Sequence, residues 1–320
     1  MKSIIFICPY FGKLPDHFSL WLKSCELNSN INWLILTDDS RKYSYPDNVK
    51  VIYMTFKVFE NYVRKKMRFP VTLSTPYKLC DYKPIYGYIF NDYIQKYDFW
   101  GHCDISDCIF GNIRKFITDP VLDEYDKIFY LGHMTLYKNN NEVNTRFNKI
   151  TKSGITIKSI LQDKNNRAFD ELNSYSINTI YKEYNFTQYR NDELYADISP
   201  MRFSFQLSKY NENYEQYYES KIPRLFYWNQ GTLLGYYIKN NKVECQEYAY
   251  IHFQKRKMST CVQNKFERFL IVPNKFIDYP PLKSQKELLY EYSREKLLYK
   301  PFWQLKFRAM IWHIKNIKKK

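Results

Sequence analysis

Two aspartates, Asp104 and Asp107, close an apolar and aromatic run that begins at Tyr97 and includes Phe99 and Trp100. A buried strand that ends in acids delivers carboxylates to the edge of a sheet. Hard divalent cations take oxygen ligands, and one or two carboxylates with substrate phosphates make a usual magnesium or manganese site. The pair therefore points to an enzyme that handles a nucleotide diphosphate through Mn2+ or Mg2+. The competing reading is a plain turn, because turns also favour Asp.

Basic residues supply the complementary chemistry. Residues 248–253 read as a strand, and Lys255, Arg256 and Lys257 follow it. Cations at such a point offset the charge that collects on a departing diphosphate, and Arg matches phosphate in a bidentate way. A solvated basic turn is the alternative. Lys83, ahead of Pro84 and a helix entry, reads either as a phosphate or nucleotide contact or as an ordinary surface lysine. His133 follows a strand over 127–131 and is a candidate base or acceptor contact.

These groups need elements to position them. Residues 4–8 form a continuous apolar run, as in a buried parallel strand, and Pro9, Gly12 and Pro15 break it. Residues 17–27 carry an apolar stripe of Phe18, Leu20, Trp21, Leu22 and Cys25, which predicts a helix. Residues 31–39 and 49–54 predict two more strands, and the segment 85–94 has helical spacing ahead of the strand at Phe99. Strand, helix, strand at these lengths is a βαβ unit, which builds parallel sheets. Ligands in such sheets sit beyond the carboxyl ends of the strands. The loop carrying Tyr10, residues 37–39 and residues 104–107 therefore share one rim. No GxGxxG follows the first strand and no Walker A motif occurs, so a Rossmann dehydrogenase or a P-loop kinase is disfavoured.

Three segments together resemble a known family. They are KxCDxKPxxG at Lys78 to Gly87, DFWGxxD at Asp98 to Asp104, and FGxIRKF at Phe110 to Phe116. The stretches around Gly132 to Asn139 and Tyr250 to Met258 continue the likeness, which covers roughly residues 1–260. The chain resembles the glycosyltransferase-like proteins encoded in bacterial capsule and O-antigen gene clusters. That resemblance implies a GT-A-like, Rossmann-like α/β fold with a mostly parallel sheet and flanking helices. It implies a nucleotide-sugar donor and a glycan or lipid-linked glycan acceptor. The metal motif of such enzymes is Asp-x-Asp, whereas here Ile105 and Ser106 separate Asp104 from Asp107. Three arrangements follow: Asp107 takes the second position through a bulge, Ser106 and water fill it, or metal binding is weak or absent. The resemblance also implies His252 as a late metal ligand and the pair Asp170 and Glu171 as the general base for an acceptor hydroxyl.

The chain has 320 residues and 45% hydrophobic residues, enough for one large α/β domain, expected over residues 1–290. Its 32 tyrosines and 23 phenylalanines serve core packing first. A formal net charge of +16 implies an anionic partner. No zinc-finger, RRM or helix-turn-helix pattern is present, so nucleic acid is not the expected partner, although a basic nucleic-acid-binding protein is a rival reading. A catalytically inactive binding protein of the same fold is another. Seven scattered cysteines without CxxC spacing fit a reduced, cytoplasmic protein.

The last segment, residues 291–320, changes character. Leu297, Leu298, Phe302, Trp303, Phe307, Met310, Ile311, Ile314 and Ile317 recur at three- and four-residue steps among Lys300, Lys306, Arg308, Lys315 and Lys318 to Lys320. Pro301 suits a first helical turn. A basic amphipathic helix with a Trp/Phe/Ile face predicts attachment to an anionic inner-membrane surface, against the alternative of packing on the domain.

Overall fold

The computed structural model describes residues 1–263, 267–280, 282–294 and 299–317. The chain folds as two compact units, residues 1–108 with 113–191, and residues 109–112 with 192–320. The domain expected over 1–290 is thus divided between them. Leu297, Leu298 and Lys318 to Lys320 lie outside the described residues, as do the side chains of Ile314, Lys315 and Ile317.

The first unit holds strands β1 (Ile4–Tyr10), β2 (Ile31–Thr37), β3 (Val49–Tyr53) and β4 (Phe99–Cys103). After β5 (Cys108–Phe110) come β6 (Lys127–Leu131), β7 (Met134–Lys138) and β8 (Gln188–Tyr189). Seven of these form one sheet in the order β3-β2-β1-β4-β7-β6-β8. β1 is parallel to both β2 and β4, with Ile4 opposite Ile31 and Phe99. The helix Phe18–Glu26 crosses from β1 to β2 and buries Phe18, Leu20, Trp21, Leu22 and Cys25.

The sheet is mixed, with four of its six strand pairings parallel. β7 runs antiparallel to β4 and to β6, because Gly132 and His133 turn the chain directly back in a hairpin. Two residues cannot make the crossover that a parallel neighbour needs. The β6–β7 register shifts between Ile128 and Leu131, and Phe129 sits at a φ of 63°. Such a bulge bends a strand and re-aims its end.

The second unit is built mainly from antiparallel strands. It contains β9 (Tyr195–Asp197), β10 (Ser208–Tyr210), β11 (Gln216–Tyr218), β12 (Arg224–Asn229), β13 (Thr232–Lys239) and β14 (Lys242–Tyr248). β15 (Tyr250–His252), β16 (Ser259–Cys261), β17 (Arg268–Val272) and β18 (Lys275–Ile277) complete it. The largest sheet has the order β14-β13-β12-β17-β18-β16, and a three-stranded sheet has the order β5-β15-β9. Two-residue turns make the β12–β13 and β13–β14 hairpins. Gln230 and Gly231 have φ of 43° and 84°, and Asn240 and Asn241 have φ of 49° and 60°. Positive φ at both central residues matches the strand twist. The helix Gln285–Tyr292 opens with a capping box of Ser284 and Glu287 and buries Leu288 and Leu289. The terminal helix is Lys300–Ile317.

Candidate active site

Lys83 is delivered by a segment with little freedom. Pro76–Asp81 and Lys83–Ile85 are successive tight helical turns, each with proline in its first turn. Gly87 then passes so close to Trp100 that a Cβ would lie 2.3 Å from the indole. Trp100 in turn is fixed by donation from its Nε1 to Asn144 Oδ1 at 2.6 Å. From this platform Lys83 Nζ donates to Asp104 Oδ1 at 2.7 Å and to the Gly132 carbonyl at 2.8 Å. Asp170 Oδ2 lies 3.5 Å from the same ammonium.

Gly132 closes the group. A Cβ there would come within 2.3 Å of Asp170 Oδ2 and 2.7 Å of Glu171 Oε1. The β6–β7 turn thus gives up a side chain so that two carboxylates can approach its backbone. The structure therefore brings Lys83, Asp104, Asp170, Glu171 and the Gly132 carbonyl together, although they come from four separate parts of the sequence.

The charge states follow from burial and neighbours. Burial disfavours charge on Lys83, but the Asp104 and Asp170 carboxylates outweigh it and raise its pKa well above the ordinary value. Asp170 is buried, and burial pushes its carboxyl well up; Lys83 opposes this while Glu171 and Asp104 add to it. Asp104 is the carboxylate nearer the ammonium, and Asp170 Oδ1 has no hydrogen-bond partner among the described residues. Glu171 is half-buried, so it can meet a ligand that Asp170 cannot.

The rim forms as the parallel strands require. Asp104 directly follows β4, and its amide donates to the His133 carbonyl at 3.0 Å. Carboxylate oxygens of Asp104 and Asp107 lie within 4.8 Å of one another. Ser106 Oγ donates to Asp107 Oδ2 at 3.1 Å, so Ser106 steadies the second carboxylate. Two carboxylates at this spacing fit one divalent cation that completes its shell with phosphate and water. Tyr10 ends β1, and its phenol is pushed up by burial and then by the negative charges of Asp107 and Asp39. The neighbouring loops are tied together by Gly12 N donating to Asp38 Oδ1 at 2.7 Å and Leu14 N donating to Asp39 Oδ2 at 2.8 Å. The His133 side chain is buried, and its carbonyl accepts the Asp104 amide.

In the second unit, parallel pairing sets His252 beside Asp197. His252 Nδ1 lies 2.7 Å from Asp197 Oδ1, and Gln254 Nε2 donates to Asp197 Oδ2 at 2.6 Å. A ring nitrogen facing a carboxylate carries its proton, which makes Nε2 the basic nitrogen of the neutral ring. Arg256 is buried, and its guanidinium donates to the carbonyls of Ser199, Arg202, Phe203 and Ser204. It organises that loop, and this geometry lends no support to the expected diphosphate contact. Lys255 is exposed at a φ of 55°.

Residues 6–280 match the family of unknown function DUF6625. The chain belongs to DUF6625. No curated protein matches it.

Two residues of this DUF6625 site escaped sequence reasoning although they stand in the same motif as Lys83. Lys78 and Asp81 form a buried ion pair at 2.6 Å. Their three-residue spacing was the available signal, because side chains at i and i+3 eclipse in a tight helical turn. Asp197 also went unread as a partner of His252, since strand neighbours 55 residues apart leave no local pattern.

Proposed function

We propose that this DUF6625 protein is a glycosyltransferase that moves a sugar from a nucleoside-diphosphate donor to a surface-glycan acceptor. The observation that carries the reading is the pair of Asp104 and Asp107 carboxylates within 4.8 Å of each other on the carboxyl rim of β4. Ligands of open α/β sheets bind on that rim. In this reading Asp104 and Asp107 hold Mn2+ or Mg2+, which would neutralise charge on the donor diphosphate when bound.

The protein groups have separate tasks. The acceptor oxygen bonds to the anomeric carbon as that carbon's bond to the diphosphate oxygen breaks. The acceptor proton passes to Glu171, and the electron pair leaves with the diphosphate. The Lys83 ammonium supplies fixed positive charge, and Asp170 holds it in place from the buried side. The GT-A-like assignment belongs to this proposal, and the resemblance of the three sequence motifs supports it.

The terminal helix supports attachment to an anionic membrane face. Trp303, Phe307 and Met310 share one face at 58%, 59% and 50% exposure. Residues 300–320 contain seven basic residues and no acid. No helix among the described residues is long and apolar enough to cross a membrane.

Calorimetry with nucleoside diphosphates and Mn2+ tests the site. Asp104→Asn and Asp107→Asn should each lose metal-dependent binding while their melting temperatures stay near that of the wild type. Equal affinity in all three proteins would remove the reading.

A further inference from the structure

The turn that carries Asp170 is held in a conformation that its own sequence disfavours. Ala168 has a φ of 51°, a region that L side chains seldom occupy. On either side of it, the amides of Arg167 and Phe169 both donate to one carboxylate, that of Asp81, at 3.0–3.1 Å. Asp81 is fully buried and is anchored in turn by Lys78 Nζ at 2.6 Å. The remaining donors of that ammonium go to the carbonyls of Ile160 at 3.0 Å and Asn165 at 2.6 Å, in the segment that leads into the turn. The other side is closed by Asn173 Nδ2 and the Glu171 amide, which donate to the Ala168 carbonyl at 2.8 Å and 3.1 Å.

We propose that Asp81 is a positioning residue: its carboxylate, anchored by Lys78, holds residues 167–169 in the turn that presents Asp170 and Glu171 to Lys83. Three features point the same way. The strain is local, at the residue two before Asp170. The clamp grips the amides on both sides of the strained residue. Asp81 also lies two residues before Lys83, so one short segment fixes both halves of the site. A carboxylate satisfied by two backbone amides and an ammonium sets distances that an apolar core cannot. Strain kept by surrounding bonds is a recurrent property of functional sites.

The inference rests on the proposed function only in assigning chemistry to Asp170 and Glu171. Lys83, Asp104, Glu171, Asp81, Cys80, Tyr86 and Tyr137 are the titratable groups that face Asp170. Asp81→Ala alone would leave the Lys78 ammonium unpaired in the interior, so the decisive variant is Lys78→Met with Asp81→Ala. Protein labelled with carbon-13 at aspartate carboxyls reports the titration of Asp170 by NMR, with Asp170→Asn identifying its signal. Amide exchange reports the bonds at Arg167 and Phe169.

In the double variant the Asp170 titration should move toward the ordinary carboxylate range. Exchange at the two amides should quicken in parallel. An unmoved Asp170 titration with the two amides unprotected overturns the proposal. If the double variant does not fold, Asp81→Asn decides by the same pair of readouts, because it keeps an oxygen for the two amides and gives up only the charge. It should show smaller changes of the same sign, and unprotected amides with an unmoved titration again overturn the proposal. Failure of the glycosyltransferase reading looks different: the wild type would bind no nucleotide while both NMR readouts still respond to loss of Asp81.

Discussion

Lys83 and Asp104 meet at 2.7 Å across 21 residues of chain, and the Gly132 carbonyl takes a second proton of the same ammonium. The contact joins a tight helical turn to a strand end, so neither residue depends on a flexible loop. Asp104 and Asp170 converge there on one lysine, Asp104 partly exposed and Asp170 buried.

Gly132→Ala should separate site from fold. The added methyl would lie 2.3 Å from Asp170 Oδ2 and 2.7 Å from Glu171 Oε1, so the carboxylates must move. A loss of about 1–3 kcal/mol in stability is expected, as for other overpacked sites. Urea unfolding measures that loss. Nucleotide turnover should fall further than stability, and an unchanged rate would show that the acidic pair does no chemistry.

Asp170→Asn should alter the dependence of stability on pH. The folded pKa is raised, so below the unfolded value near 3.8 both states hold the proton and the contribution of the group is fully present. It is lost as pH rises, until the folded pKa is passed. The variant should therefore be at least as stable as the wild type at neutral pH and lose that advantage on acidification. Unfolding curves across pH test this, and a variant that is less stable only at neutral pH would show that Asp170 is ionised in the fold.

Lys127→Met tests the opposite case. Lys127 is fully buried, donates to Asn178 Oδ1 and lies 4.8 Å from the centre of the Tyr181 ring. Burial pushes its pKa well below the usual value of 10.5. The unfolded chain then binds a proton that the folded chain does not, so this residue makes stability rise with pH until about 10.5. Subtracting the curve of the variant from that of the wild type isolates the slope. A flat difference would mean that the ammonium is charged inside the core.

Arg256→Lys should destabilise without weakening nucleotide binding. A lysine cannot reproduce the planar fork that serves four carbonyls, and roughly 2 kcal/mol is the expected loss. A Tm drop with unchanged nucleotide affinity matches the loop-organising role. Lost affinity at constant Tm would restore the phosphate contact.

Removing residues 300–320 should release the protein from vesicles rich in anionic lipid, and added salt should weaken binding of the full chain. Sedimentation with vesicles measures both. If the truncated chain is insoluble and the full chain ignores vesicles, the helix face belongs to the core.

The legible parts of this protein were those with a local pattern. The runs at residues 4–8, 31–39 and 49–54 announced parallel strands because apolar side chains on both faces leave no alternation, and β1, β2 and β3 occupy them. Lys83, Asp104 and the Asp170–Glu171 pair were found separately, and only the structure joins them. The antiparallel half was mostly unread. Gln230, Gly231 and the pair Asn240 and Asn241 are hairpin signals, but the flanking tyrosines sit on both faces of their strands and mask the alternation. The burial of Arg256 among backbone carbonyls was not legible, because charge in a sequence carries no mark of depth.

Residues 109–112 belong to the second unit although they are made in the midst of the first. During synthesis Ile109 and Phe110, fully buried in the finished protein, leave the ribosome long before β9 and β15 exist to cover them. The nascent chain must therefore carry Ile109 and Phe110 uncovered until β15 is made some 140 residues later, roughly 7–28 seconds at about 5–20 residues per second. No single cut yields both units whole, so fragment expression should give a first half that seeks chaperones and a second half that lacks an edge strand of its three-stranded sheet.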